Sequence, residues 1–249
     1  MISQKVTINT IAKRNMTRQH IVFLTGAGIS AESGLSTFRG KDGLWTKEEF
    51  RYLASADCLY EDTQKCLDFY NRRRLQLAEV QPNHAHRVIA ELEKEHDVTV
   101  ITQNVDDLHE RAGSSRVIHL HGELRKVCSS NNRMTCVTDY PLTTPIRVGD
   151  KAADGSQLRP YIVMFGEYLD DLDPVIRIIR EVDIFVVIGT SLVVYPAAGL
   201  IDYAHREIPR FVINPGDMSE CERLGYTHLA MTATEGMDEF RIRLNNLLT

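Results

Sequence analysis

The chain has 249 residues, 43% of them hydrophobic and 25% charged, the balance of an ordinary folded protein with a core that needs no disulfides. Its net charge of -5 argues against a non-specific nucleic-acid binder, and five cysteines, an odd number, imply no disulfide framework and hence a reducing compartment. No apolar run approaches the roughly 20 residues that span a bilayer and no secretory apolar segment opens the chain, so the reading is cytoplasmic.

The first twenty residues carry Lys5, Lys13, Arg14 and Arg18 and no acid. That composition resembles a transit peptide, but a strand follows at once, and a short native N-terminal helix is the expectation. His20–Thr25 is a β-branched and apolar run that reads as a buried parallel strand. It leads directly into Gly26-Ala27-Gly28-Ile29-Ser30-Ala31, a match to G-x-G-x-x-G/A. Glycines there let backbone amides approach a pyrophosphate at a helix N-terminus. A tight structural turn is the plain alternative, and the position after the first strand favours the dinucleotide. A Rossmann dehydrogenase would next show a second strand ending in an acid about 20 residues on. Here stands Ser36-Thr37-Phe38-Arg39 and a polar loop to Trp45, so the nucleotide is gripped differently from a hydride carrier.

Helical patterns follow at 61–79 and 84–95. On the first, Cys66, Tyr70, Arg73 and Leu77 share one face, so Arg73 interrupts an apolar stripe. Read alone, it is a surface arginine in the run Arg72-Arg73-Arg74. The strand 98–101 ends in Thr102-Gln103-Asn104-Val105-Asp106, which places amide and carboxylate groups at a strand exit. Asp106 also suits a cap for a helix at 106–112. Alternation along 117–121 puts His119 and His121 on one face, and His121, followed by Gly122, suits general-base work near neutrality. By itself such a histidine is more often structural.

Residues 125–160 are polar and turn-rich, with a small hairpin cluster of Val127, Met134, Val137, Tyr140 and Leu142 expected. A helix is expected at 171–182 and strands at 184–188 and 210–213, the strands exiting into Gly189-Thr190-Ser191 and Asn214-Pro215-Gly216. Strand–helix alternation implies a doubly wound α/β sheet with ligands at the carboxyl ends of its strands. The expected division is a Rossmann-like domain from 1–39, 81–124 and 161–249, with 40–80 and 125–160 inserted as a smaller second domain.

Gly26-Ala-Gly-Ile-Ser-Ala-Glu-Ser-Gly34, Thr37-Phe-Arg39, Asp42-Gly-Leu-Trp45, Thr102-Gln-Asn-Val-Asp106, His119-Leu-His-Gly-Glu123, Phe165-Gly-Glu167 and Gly189-Thr-Ser191 together resemble the sirtuin family of NAD-dependent protein lysine deacylases. The resemblance implies NAD as co-substrate. Its site would include Gly26, Ala27, Gly28, Ser30, Thr37, Phe38, Arg39, Gln103, Asn104, Asp106, Gly189, Thr190, Ser191, Asn214 and Ala233, with His121 and Asn104 catalytic. It implies that the acyl oxygen attacks the ribose, nicotinamide leaves, His121 takes a proton from the ribose hydroxyls, and O-acyl-ADP-ribose is released. Acyl-lysine proteins or peptides would pair as an added strand between Phe165-Gly166-Glu167 and Leu192-Val193-Val194. Tyr70 and Arg73 resemble the Tyr-x-x-Arg pair of desuccinylase- and demalonylase-type members, where arginine clamps the distal carboxylate, with small Ala54 leaving room for the acyl chain. The family usually carries two Cys pairs for structural zinc. Only Cys128 and Cys136 stand in that region here, too far apart for a Cys-x-x-Cys knuckle, so no zinc is expected. A sirtuin-like ADP-ribosyltransferase remains the main alternative, and a catalytically silent NAD-sensing module the next. No nucleic-acid or membrane partner is expected.

Overall fold

The computed structural model describes residues 18–36 and 48–249. The expected N-terminal helix and the segment Thr37-Phe38-Arg39 through Trp45 lie outside the described residues.

The expected runs become the strands β1 (His20–Thr25), β2 (Asp97–Thr102), β3 (Val117–His119), β7 (Ile184–Ile188) and β8 (Arg210–Ile213), and a further short strand, β9 (Thr227–Leu229), joins them. They form one parallel sheet in the order β3-β2-β1-β7-β8-β9. Alternate residues of β1 serve two cores. Ile21 and Phe23 join Val100, Ile184, Val186 and Phe211 under α4 (His84–Leu92) and α8 (Ala233–Leu248). Val22 and Leu24 join Phe185, Val187 and Val212 under α6 (Asp173–Arg180) on the other face. A sheet buried on both faces favours runs without alternation, which is why β1, β2, β7 and β8 were legible as apolar stretches, whereas the three-residue β9 carried no such signal. The chain winds outward from β1 to β3 and resumes at β7 on the opposite side. The crevice of this reversal lies where β1 and β7 end, beside Gly26 and Gly189.

A second, antiparallel sheet has the order β5-β4-β6, from β4 (Gly122–Ser129), β5 (Thr138–Asp139) and β6 (Leu158–Ile162). Helices α1 (Glu48–Leu53), α2 (Ala56–Glu61) and α3 (Thr63–Glu79) pack beside it. Ser55 caps α2 by accepting from the Cys58 amide at 3.1 Å, and Asp62 caps α3 by accepting from that of Lys65 at 3.0 Å.

The expected hairpin cluster is corrected. Met134 and Val137 are exposed, because Asn132 and Thr135 close a tight turn that directs this stretch outward. The buried set is Leu67, Val127, Ile146, Ala152 and Leu158, with Tyr140 partly covered, while Leu142 packs toward the helices.

Two neighbours on α3 fasten this helix to the small sheet. Arg74, fully buried, donates to the carbonyls of Leu124, Tyr140, Pro141 and Thr144 at 2.7–3.3 Å and lies over the Tyr140 ring. The Asn71 amide both donates to Ile146 O at 2.8 Å and accepts from Ile146 N at 2.9 Å. The run of three arginines thus holds one that is a main-chain clamp.

Candidate active site

The glycine loop opens a 3-10 turn, Ala27–Ser33, and is zipped to the exit of β7. The amide of Gly26 donates to Ile188 O and that of Gly28 to Gly189 O, at 2.9 and 2.8 Å. A Cβ on Gly28 would lie 2.6 Å from Gly189 Cα, and one on Gly26 2.7 Å from Thr190 Cβ. Their smallness therefore permits contact between the two strand exits, and donors for a phosphate would come from the turn beyond them. Asn214 donates from Nδ2 to Thr190 O at 3.1 Å, bringing the exit of β8 to the same crevice. Ala233, the first residue of α8, is buried against that side, and Ser191 is exposed at the rim.

The exit of β2 supplies the polar floor. Gln103 Nε2 donates to Thr190 Oγ1 at 3.1 Å, and Asn104 Nδ2 donates to Gly26 O and Ser30 Oγ, both at 3.2 Å. Ser30 Oγ in turn donates to Asp106 Oδ2 at 3.0 Å, while Asp106 Oδ1 accepts from the Leu108 amide at 3.2 Å. Asp106 thus serves the start of α5 (Leu108–Ala112) and the loop floor together. Burial raises the pKa of its carboxyl above the ordinary value, with the hydrogen bonds from Leu108 and Ser30 opposing.

His121, just beyond β3, donates from Nδ1 to Gln103 O at 2.7 Å. That bond fixes the tautomer and leaves Nε2 as the lone-pair nitrogen. Burial lowers its pKa below the ordinary value, opposed by the Gln103 bond, so the ring is neutral near pH 7. His119 has two acceptors: Asn104 O faces Nδ1 at 3.1 Å and Glu110 Oε1 faces Nε2 at 2.7 Å. Burial disfavours its charge, but the Glu110 carboxylate, with Glu123 and the bond to Asn104 O, outweighs burial and raises its pKa. Glu123 completes this group, its carboxylate already bound by Lys126 Nζ at 2.6 Å, and an imidazolium has no lone pair for a metal ion.

On the opposite wall Arg73 lines one pocket with Ala27, Ser30, Asn104, Val105 and Asp106. Burial pulls its guanidinium pKa down, with Asp106 and Tyr70 opposing, and it stays cationic. Tyr70 is buried among Cys66, Phe69, Ile162 and Met164, and burial pushes its phenol up, so it remains a proton donor. Phe165 pairs with the chain before α2: its amide donates to Ala54 O at 3.0 Å and its carbonyl accepts from Ala56 N at 2.9 Å. Gly166 adopts φ +90, and Phe165 and Val193 stand exposed.

Sequence reasoning gave no role to Glu110, Lys126 or Arg159. Arg159, buried in β6, binds both oxygens of Glu167, and the same carboxylate accepts from Met164 N at 2.7 Å, folding the 164–167 turn. The only sequence signal for this clasp was Glu167 following Phe165-Gly166.

The Sir2 family model matches residues 26–196. The chain belongs to the Sir2 family. An NAD-dependent protein deacylase of Bacteroides thetaiotaomicron is 48% identical over 226 residues, covering 90% of this chain and 97% of that protein. Among solved structures, a Sir2 homologue mutant in complex with 2'-O-acetyl ADP ribose superposes with a TM-score of 0.83 at 39% identity, covering 96% of this chain and 97% of that one. A Sir2 homologue bound to NAD superposes with a TM-score of 0.79 at 38% identity, covering 98% and 96%. The Sir2 frame agrees with the α/β sheet and with the separate antiparallel sheet described above.

Proposed function

We propose that the chain is an NAD-dependent protein-lysine deacylase that prefers acyl groups ending in a carboxylate, succinyl or malonyl, over acetyl. Membership of the Sir2 family, and similarity along nearly its whole length to a named deacylase, support the reaction class. The donor set fits NAD: three strand exits meet at a glycine cradle too tight for a Cβ, with Gln103, Asn104, Asp106 and Thr190 grouped beside it. When bound, NAD supplies the ADP-ribosyl group that takes the acyl group, and nicotinamide as leaving group. His121 would hold the proton-accepting Nε2, with Gln103 O fixing its orientation. Asn104, Ser30 and Asp106 would orient the nicotinamide end, and the backbone around Phe165 and Val193 would pair with the peptide.

Arg73 carries the acidic preference. It shares the pocket of Asn104 and Asp106, so a carboxylate on the acyl group would meet a desolvated guanidinium beside the reacting groups. Tyr70, one turn earlier and within electrostatic reach of Arg73, would add a hydroxyl donor. We further propose that the small domain works without zinc. Cys128 is buried with its thiol directed to Pro160 O, and burial pushes its pKa up to about 11, a poor state for a metal thiolate. We read residues 40–80 and 125–160 as that small domain, acyl-lysine proteins as partners, and the cytoplasm as its place. Among the described residues, no helix is long and apolar enough to cross a membrane.

The test is nicotinamide release from NAD with acetyl-, succinyl- and malonyl-lysine peptides, with the product mass followed. O-succinyl-ADP-ribose formed with higher kcat/KM than its acetyl counterpart is expected. A peptide carrying ADP-ribose would establish transfer to protein instead, and faster acetyl turnover would refute the acidic preference.

A further inference from the structure

Two histidines separated by a single residue are held in opposite protonation states, and only His121 has a place in the reaction above. His119 has a side chain 7% exposed and stands between two acceptors, Asn104 O at Nδ1 and Glu110 Oε1 at Nε2. A carbonyl cannot donate, and a glutamate is a far stronger acid than an imidazolium, so both ring nitrogens carry protons. His121 has one acceptor, at Nδ1, and is neutral.

We propose that Glu110 and His119 are a positioning pair for this site: a half-exposed carboxylate and a buried imidazolium that together pin the Asn104 main chain and set a positive charge behind the Asp106 carboxylate. The inference rests on the reading that Asn104 and Asp106 receive the nicotinamide end of NAD.

The geometry runs continuously from the pair to the pocket. Glu110 sits on α5, and Glu123 on β4 lies within 4.8 Å of the same group, its carboxylate bound by Lys126. His109, buried behind on α5, has its pKa held well below the ordinary value, by burial first and then by His86 and His119, and adds no charge. His119 grips the carbonyl of Asn104, whose side-chain amide spans Gly26 O and Ser30 Oγ. Asp106, 7% exposed, is faced by Ser30 from the glycine loop, Arg73 from α3, Asp107 alongside and His119 from β3. Burial and Asp107 both press Asp106 toward protonation, and His119 is a cation that opposes them. Glu110 holds that cation charged. Through His119, Glu110 thereby adds to the Leu108 and Ser30 hydrogen bonds and the Arg73 guanidinium that favour charge on Asp106, without touching the pocket itself.

Glu110→Gln separates charge from shape. The amide oxygen still accepts from Nε2, but the imidazolium loses its nearer counter-ion, keeping only Glu123, and the positive charge His119 offers Asp106 is weakened. We expect the Kd for NAD at pH 7.5 to rise about tenfold, equivalent to about 1.4 kcal/mol. The pH below which NAD binding weakens should also move upward relative to the unsubstituted protein. A packing role alone would lower the melting temperature without moving that pH. Calorimetric titration of NAD across pH 5–9 reads both, and superimposable Kd–pH curves would overturn the proposal.

Should the variant fold poorly, the unsubstituted full-length chain decides the matter through the carbon-13 resonances of its labelled imidazoles. His119 is expected to stay charged above pH 6.5, and titration at or below that value would overturn the pair. That measurement needs no NAD. Absence of NAD binding by a chain whose His119 stays charged would therefore strike the deacylase reading and not the Glu110–His119 pair.

Discussion

Replacing Arg73 with methionine while leaving Arg74 intact separates two adjacent arginines with different work. Arg73 lines the pocket beside Asp106, and its charge is partly desolvated there. An incoming acyl carboxylate would form a charge pair with it in that setting. Truncating one member of such a pair costs about 2–5 kcal/mol, which is ~30- to ~5,000-fold in kcat/KM. Arg73→Met should therefore cut desuccinylation by at least ~30-fold, while deacetylation, with no carboxylate to lose, changes by less than about threefold. Stability should hold, because the substitution removes a charge that burial already disfavours. Arg74→Met should do the reverse. It strips donors from four carbonyls in a fully buried place, so a loss on the order of 3–5 kcal/mol is expected, read as a melting temperature lower by about 10 °C. Both acyl substrates should then suffer alike. The assay is steady-state nicotinamide release on paired succinyl and acetyl peptides, with thermal melts of each variant. Equal losses on the two substrates for Arg73→Met would refute the clamp and leave Arg73 as a fold residue.

His121→Ala should lose ~10²–10⁴-fold in turnover, the usual contribution of a general base, with NAD still bound in calorimetry. Because burial lowers the His121 pKa, its basic form persists as pH falls, so the acid limb of kcat should lie below 6.5; a limb above 7 would contradict that environment. Metal analysis of tag-free protein should find less than one-tenth equivalent of zinc, and chelator should leave the melting temperature unmoved. Stoichiometric zinc whose removal lowers that temperature would overturn the zinc-free reading.

The central strands were legible because a sheet covered on both faces favours apolar residues at successive positions, as in Ile184–Ile188. The strand exits were legible for a related reason: glycine and amide side chains directly after such runs have few structural uses. The face of α3 was legible as a stripe, with Cys66, Tyr70 and Leu77 buried as its spacing required. The difference between Arg73 and Arg74 was not. They are neighbours in sequence, and what distinguishes them is a loop some 70 residues away that presents its carbonyls to one and not the other. The outward turn of Met134 and Val137 escaped notice because periodicity says nothing about a strand as short as β5. His119 was placed on the face of His121, yet its partner Glu110 lies on another element, and no local pattern announces a contact of that kind.

The fastening of α3 bears on how selectivity could be transferred between relatives. Tyr70 and Arg73 have Asn71 and Arg74 interleaved with them on the same helical turn, and these bind carbonyls of residues 140–146. Grafting only the Tyr-x-x-Arg pair onto another scaffold would import the recognition chemistry without its foundation, free to roll about the helix axis. A transplant that carried the 140–146 loop along with the helix would bring the reference frame too. Loop sequence, remote from any substrate atom, would then act as a tuning handle for which acyl chains are accepted.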